Sequence, residues 1–181
     1  MSDLKETPSQ TAGPYVHIGL ATEAAGFTTF PAFGAQIFSP DIPGERIRVG
    51  GRILDGDGAP MTDALLEIWQ ADASGTYSDS AEGFGRIVPD FETGAYGFDT
   101  IKPGATNGAP HLHLWLVARG INLGLHTRMY FEDEGEANAA DPVLQGLDLE
   151  RRATLIAARD GTTYRLDIRV QGDNEMVFFD V

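Results

Sequence analysis

From residue 45 onward, short apolar runs alternate with glycine and proline turns. "RIRVGGRILD" (46–55) is rich in β-branched and apolar residues and runs into the turn signal "DGDGAP". "ALLEIWQAD", "GAYGFDTI", "PHLHLWLVAR", "TRMYF", "TLIAARD", "TYRLDIRVQG" and "EMVFFDV" follow, most of them closed by Gly or Pro. In "TYRLDIRV", Tyr164, Leu166, Ile168 and Val170 fall on one face and Arg165, Asp167 and Arg169 on the other. That alternation predicts a half-buried antiparallel strand. In "PHLHLWLVAR" the same period puts Leu112, Leu114, Leu116 and Ala118 toward a core, with His111, His113, Trp115, Val117 and Arg119 on the opposite face. The one helical segment expected is 133–153, where Pro142, Gly146 and a polar composition limit it to a turn or two. Many short strands with such turns indicate an all-β sandwich.

Residues 1–44 read differently. They are rich in turn formers and carry few helix signals, yet they hold Phe27, Phe30, Phe33, Ile37 and Phe38. A disordered tail seldom carries so many apolar side chains. The expectation is an ordered N-terminal arm (1–44) laid over a surface, its own or a partner's, followed by a β-sandwich domain (45–181).

Composition narrows the function. The absence of cysteine removes disulfides, zinc-thiolate sites and Cys nucleophiles, and agrees with a reducing cytoplasm. A net charge of −14 argues against nucleic-acid binding. It also repels a small anionic substrate unless a local basic group draws it in. No apolar run approaches the roughly 20 residues of a membrane span, and the polar start "MSDLKETPSQ" lacks a signal-peptide core. The composition therefore suggests a cytoplasmic chain that binds neither membrane nor nucleic acid.

Two of the four histidines, His111 and His113, sit at i and i+2 on one strand. Two such imidazoles are able to share a metal ion, but a competent site needs further ligands and groups that orient the rings. A pair bonded only to neighbours or water is the ordinary outcome.

Several stretches, taken in order, resemble the intradiol ring-cleaving dioxygenases: "TPSQTAGPY", "LLEIWQADASGTY", "GFDTIKPG", "APHLHLWLVARG", "HTRMYFEDE" and "RLDIRVQGDNEMVFFDV". The similarity runs from Thr7 to Val181, and the motif E-I-W-Q-A-D-A-x-G-x-Y is its most specific part. The resemblance implies a β-sandwich with irregular loops. In the family's catalytic chain it implies a non-haem Fe(III) held by two tyrosines and two histidines. Tyrosinate is a hard anionic ligand suited to the ferric state. Carried over, the first tyrosine is Tyr77 and the histidines are His111 and His113, but the second tyrosine's position holds Thr106. Gly108 stands where the catalytic chain has a charge-stabilising arginine. The resemblance therefore implies a vestigial metal site. It points to a chain that pairs with a homologous iron-bearing beta chain and lines that partner's pocket for protocatechuate and O2. The lining residues it implies are Thr11, Gly13, Pro14, Tyr15 and Arg119.

Plainer roles stand beside these. Gly13-Pro14 reads equally as a turn and Arg119 as one half of a surface ion pair. Tyr77 reads as a core cap bonded to backbone, and Trp115 as packing. Arg128, Arg151 and Arg152 read as solvated or interfacial, and His17 and His126 show no partner in the sequence. Two rival functions also stand open. One is an assembly module that never meets substrate. The other is a self-sufficient catechol dioxygenase in which Tyr77, His111 and His113 hold a metal with water in the fourth place.

Overall fold

A computed structural model describes residues 10–27, 34 and 36–180. Phe30, Phe33, Val181 and the first residues of the "TPSQTAGPY" stretch lie outside these. Among the described residues the strands are β1 (Arg46–Leu54), β2 (Leu65–Trp69), β3 (Phe84–Ile87), β4 (Ala95–Ile101), β5 (His111–Val117), β6 (Leu125–Phe131), β7 (Ile156–Asp160), β8 (Thr163–Arg165) and β9 (Ile168–Arg169). Short helices are α1 (Pro14–Leu20), α2 (Gly135–Ala140), α3 (Pro142–Gln145) and α4 (Leu149–Ala153). The strands form one path, β3-β2-β5-β6-β7-β8-β1-β4, with β9 beside β1. The path folds over its own apolar face until its two ends, β3 and β4, touch, and this nearly closed sheet is the expected all-β architecture.

The core follows the period-two pattern. Leu112, Leu114, Leu116 and Ala118 of the β5 run are at most 2% exposed. They meet Leu66 and Ile68 from β2, Met129 from β6, and Ile47, Val49, Phe98 and Tyr164 from the facing strands. Ile37 and Phe38, at the inner end of the arm, are buried in the same core. Gly85 makes room for them: a Cβ there would meet Ile37 Cγ1 at 2.6 Å. That glycine is also why the sequence hides β3, since "GFGRI" reads as a turn.

Three expectations need correction. The segment 163–170 is not one antiparallel strand. It breaks into β8, antiparallel to β7 but parallel to β1 with Val49 opposite Tyr164, and β9, parallel to β1 with Ile53 opposite Ile168. Burial still alternates, because side-chain facing depends on the pleat and not on a neighbour's direction. The break lies at Gly51, where a Cβ would sit 1.9 Å from the Leu166 carbonyl oxygen. Second, "EMVFFDV" forms no strand and is tied by single bonds, Phe179 N–H to the His126 carbonyl (2.8 Å) and Thr127 hydroxyl to the Val177 carbonyl (2.7 Å). Third, the arm contains a helix. Pro14 occupies the first turn of α1, where a missing N–H costs nothing, so "GP" opens a helix instead of an isolated turn. The segment 133–153 is likewise three short helices, with Pro142 opening α3 and Asp141 capping it.

Replacing Gly51 by alanine should destabilise the protein by about 2 kcal/mol, the ordinary cost of forcing an atom into a closed contact. The same change at Gly19, inside α1 with open space around it, should be neutral or stabilising by about 0.5 kcal/mol. Urea unfolding midpoints of the two variants check the opposite signs.

Candidate functional site

Strand β5 lies between β2 and β6, so its outward side chains meet neighbours on both sides. His113 is opposite Trp69 and Arg128, Trp115 is opposite Glu67 and His126, and His111 is opposite Tyr130. Tyr77 arrives from the turn after β2. Asp72 accepts the N–H groups of Ser74 (2.8 Å) and Thr76 (3.0 Å), which tightens that turn. Gly75 lets it close on residues 104–106, since a Cβ there would meet the Ala105 carbonyl oxygen at 2.1 Å. The Tyr77 ring stacks on Trp69 (5.8 Å between centroids), lies 6.2 Å from the His113 ring, and its hydroxyl bonds to the side chain of Thr106. Tyr77, Thr106, His111 and His113 are thus brought together.

Hydrogen bonding sets the state of the imidazoles. His111 Nδ1 donates to the Ala109 carbonyl at 2.8 Å, so its Nε2 is left with a lone pair. His113 Nε2–H donates to that lone pair at 3.2 Å. Both rings are neutral near pH 7. Burial holds His111 below its ordinary range, and burial with the nearby His111, Arg128 and His126 pushes His113 down to about 4. Burial also raises the Tyr77 phenol, opposed by Arg128 and the Thr106 bond.

A further polar group stands behind this pair, joined only by the fold. Arg128 donates to the Tyr130 hydroxyl (3.2 Å), which donates to Asp141 Oδ1 (3.3 Å). Arg128 also stacks over Phe179 at 5.7 Å, so it is not the solvated side chain expected. Asp141 is 1% exposed and accepts the N–H groups of Ala109, Val143 and Leu144. Its Oδ2 fills the space beside Gly108, where a Cβ would lie 2.2 Å away. The position implied for a charge-stabilising arginine is therefore closed by a carboxylate.

These residues do not fit a ferric ion. Ferric iron favours two anionic phenolates. This site offers one phenol that burial keeps protonated and a neutral Thr hydroxyl already bonded to it. The imidazole Nε2 atoms are joined to each other, and a guanidinium stands alongside. Among the described residues, no group of three or more His, Cys, Asp or Glu is placed to hold a metal.

The implied pocket residues form a second cluster at the far end of β5. Thr11 brackets Arg119: its hydroxyl accepts the Gly120 N–H at 2.7 Å and reaches the Ala118 carbonyl at 3.4 Å. Gly13 and Pro14 open α1 beside it and share a shallow depression with Ala12, His17, Asp63 and Arg119. Tyr15 is 83% exposed. Asp63 and His17 are the members that sequence reasoning missed. Asp63 Oδ2 lies 3.3 Å from Arg119 Nε. His17 bonds through Nε2 to the Ala64 carbonyl (3.3 Å) and packs edge-on against Phe91. Arg151 and Arg152 have structural roles, donating to the carbonyls of Glu175 and Leu144. From His113 to the end of β5 at Val117 the strand rises about 13 Å at roughly 3.3 Å per residue, and Arg119 lies beyond that end, in the turn that follows. Arg119 is therefore out of reach of this chain's own histidine pair.

A family model described as dioxygenase matches residues 34–110. The chain is 50% identical over 195 aligned residues to the protocatechuate 3,4-dioxygenase alpha chain of Pseudomonas putida, covering 98% of this chain and 97% of that one. It is 37% identical to the protocatechuate 3,4-dioxygenase beta chain of Burkholderia cepacia over 133 residues, 63% of this chain and 56% of that one. Among solved structures, the dioxygenase domain of a dioxygenase carbohydrate-binding protein fusion from Streptomyces sp. SirexAA-E superposes with a TM-score of 0.64 at 25% identity, covering 93% of this chain and 99% of that domain.

The neutral pair predicts a pH dependence. His113 has a folded pKa of about 4 against an ordinary 6.5. The unfolded chain therefore binds the proton first, and stability falls as pH drops from about 6.5 to about 4, with no further loss from this group below that. Unfolding free energies measured across this window should fall more steeply for the wild type than for His113→Asn. Parallel curves would show that His113 is not the titrating group.

Proposed function

The chain belongs to the intradiol dioxygenase family, on its protocatechuate 3,4-dioxygenase alpha-chain branch, and on that premise we propose that it is the iron-free subunit of a two-chain enzyme. The family uses iron, and in this reading the ferric ion sits in a homologous beta chain and supplies the activation of the catechol ring toward O2. The reaction is O2-dependent opening of protocatechuate between its hydroxyl-bearing carbons, giving 3-carboxy-cis,cis-muconate. The compartment is the cytoplasm, in keeping with a chain that lacks cysteine. Among the described residues no helix is long and apolar enough to cross a membrane.

The observation that carries the proposal is the separation of the two clusters, the histidine pair near the start of β5 and the other in the arm and in the turn past its far end. In this reading a pocket edge built from Thr11, Gly13, Pro14, Tyr15 and Arg119 stands away from the chain's own histidines and works against another chain. The arm's surface agrees. Tyr15, Ile18, Leu20 and Phe27 are large apolar side chains left 40% or more exposed, and Phe91 beside His17 is 53% exposed. Such a concentration marks a surface that a partner covers. The partner's similarity to this chain fits the beta-chain match.

Within the assembled pocket each residue has a physical task. Gly13 carries no side chain and Pro14 fixes the backbone, so the start of α1 approaches a flat ring closely. Arg119 offers a fork of N–H donors to the substrate carboxylate. On a chain of charge −14 it supplies the local attraction that the overall charge denies.

Expressed alone, the chain should carry no iron and open no ring, and co-expression with a candidate beta chain should yield both iron and activity. Iron and activity in the chain purified alone would return the self-sufficient reading. In the two-chain enzyme, Arg119→Ala should raise KM for protocatechuate about tenfold with kcat changed less than about twofold. An unchanged KM would favour a chain that assembles without touching substrate.

A further inference from the structure

We propose that Asp63 is a positioning residue: it acts through Arg119, holding that guanidinium in the orientation a carboxylate substrate needs. The inference rests on the pocket-completing reading given above. β2 and β5 pair with Leu65 opposite Val117. Carried two residues past the end of that ladder, the same register sets Asp63 opposite Arg119. The two residues leave the sheet from adjacent strand ends, Asp63 in the bend before β2 and Arg119 in the turn after β5, which brings their side chains together. It engages Nε, the inner nitrogen, at 3.3 Å. Among the described residues no other carboxylate pairs with this guanidinium, and its two terminal nitrogens remain available for a bidentate grip.

The anchor under this contact is firm. Ala64, next in the chain, is fully buried, and its carbonyl accepts the bond from His17. Residues 63 and 64 therefore tie down both halves of the pocket edge, Asp63 the arginine and Ala64 the helix that begins at Gly13-Pro14. Thr11 fixes the backbone on either side of Arg119. The arginine side chain, 72% exposed, still has rotational freedom to lose. An exposed ion pair adds little to stability. What Asp63 contributes is orientation, settled before substrate arrives.

The two effects of the carboxylate have opposite signs, which makes the proposal testable. As a charge, Asp63 repels a substrate carboxylate, so removing it would lower KM. As an orienting group, its removal raises KM. In the co-expressed two-chain enzyme, Asp63→Asn should raise KM for protocatechuate roughly fivefold with kcat within about twofold, and Asp63→Glu should recover at least half of that. Arg119→Lys keeps the charge but has no Nε, so it should raise KM as well, and adding Asp63→Asn to Arg119→Lys or Arg119→Ala should raise KM no further, since only the charge effect, which lowers it, remains. A lowered or unchanged KM in Asp63→Asn overturns the proposal, as does an increase that persists in the Arg119 variants. If Arg119→Ala itself leaves KM unchanged, the pocket-completing reading fails first. If Arg119→Ala raises KM and Asp63→Asn does not, only the role of Asp63 falls. Iron content and thermal midpoint, expected to match wild type in Asp63→Asn, separate a KM effect from failed assembly.

Discussion

Strand β5 is flanked on both sides, residues 113–117 pairing with β2 and residues 111–116 with β6, and that double pairing orders everything else. With β2 on one flank and β6 on the other, its register cannot slip without turning four core side chains, Leu112 to Ala118, toward water. The same lock fixes the outward residues. His111 and His113 face the Tyr77 turn, Trp115 packs with its indole against Gly124, and Arg119 leaves the ladder opposite Asp63. The strand thus carries the histidine pair near its start, and the second cluster gathers past its far end, where Arg119 sits in the turn after β5 and the arm packs beside it.

The region around the histidines is a network of paired polar groups. Loss of a phenolate at Thr106 would by itself leave a pocket lined with imidazole lone pairs. Here each polar group has been given a partner: His113 bonds to His111, His111 to Ala109, Tyr77 to Thr106, and Arg128 leads through Tyr130 to Asp141. Buried polar groups left unpaired are costly, and a closed network removes that cost without a metal. Asp141 couples the network to the fold, because it also caps α3 and holds the Ala109 N–H. Regaining a metal site would therefore take more than one ligand. The carboxylate beside Gly108 and the guanidinium beside His113 oppose it together.

Much of this was legible in the sequence, and the limits are physical. Alternation across 110–119 identified the inward leucines and the outward histidines, since facing is a local property of the pleat. Motif resemblance brought Tyr77, Thr106, His111 and His113 to one place and drew Thr11, Gly13, Pro14, Tyr15 and Arg119 to another. What stayed hidden depended on pairing between distant segments. Asp63 looks like any polar residue before a strand until β2–β5 register sets it across from Arg119. Asp141 carries no local signal, because the bond it accepts from the Ala109 N–H crosses 32 residues of chain. Helix α1 has only 7 residues, too few for a 3.6-residue period to stand out. The mixed direction of β8 is invisible because parallel and antiparallel neighbours leave the same alternation.

The charge of the chain explains why one arginine matters so much. Repulsion from a surface of net charge −14 acts on an anionic substrate from every side, but at physiological ionic strength it is screened beyond about 8 Å. Inside that distance the local arrangement decides. A freely rotating guanidinium would spread its attraction over many directions and lose entropy on capture. One held by Asp63, on a backbone held by Thr11, presents its donors in one direction, beside an arm whose apolar side chains are exposed. On the proposed reading, that arrangement is the chain's contribution to catalysis: a local positive field directed into a neighbour's pocket.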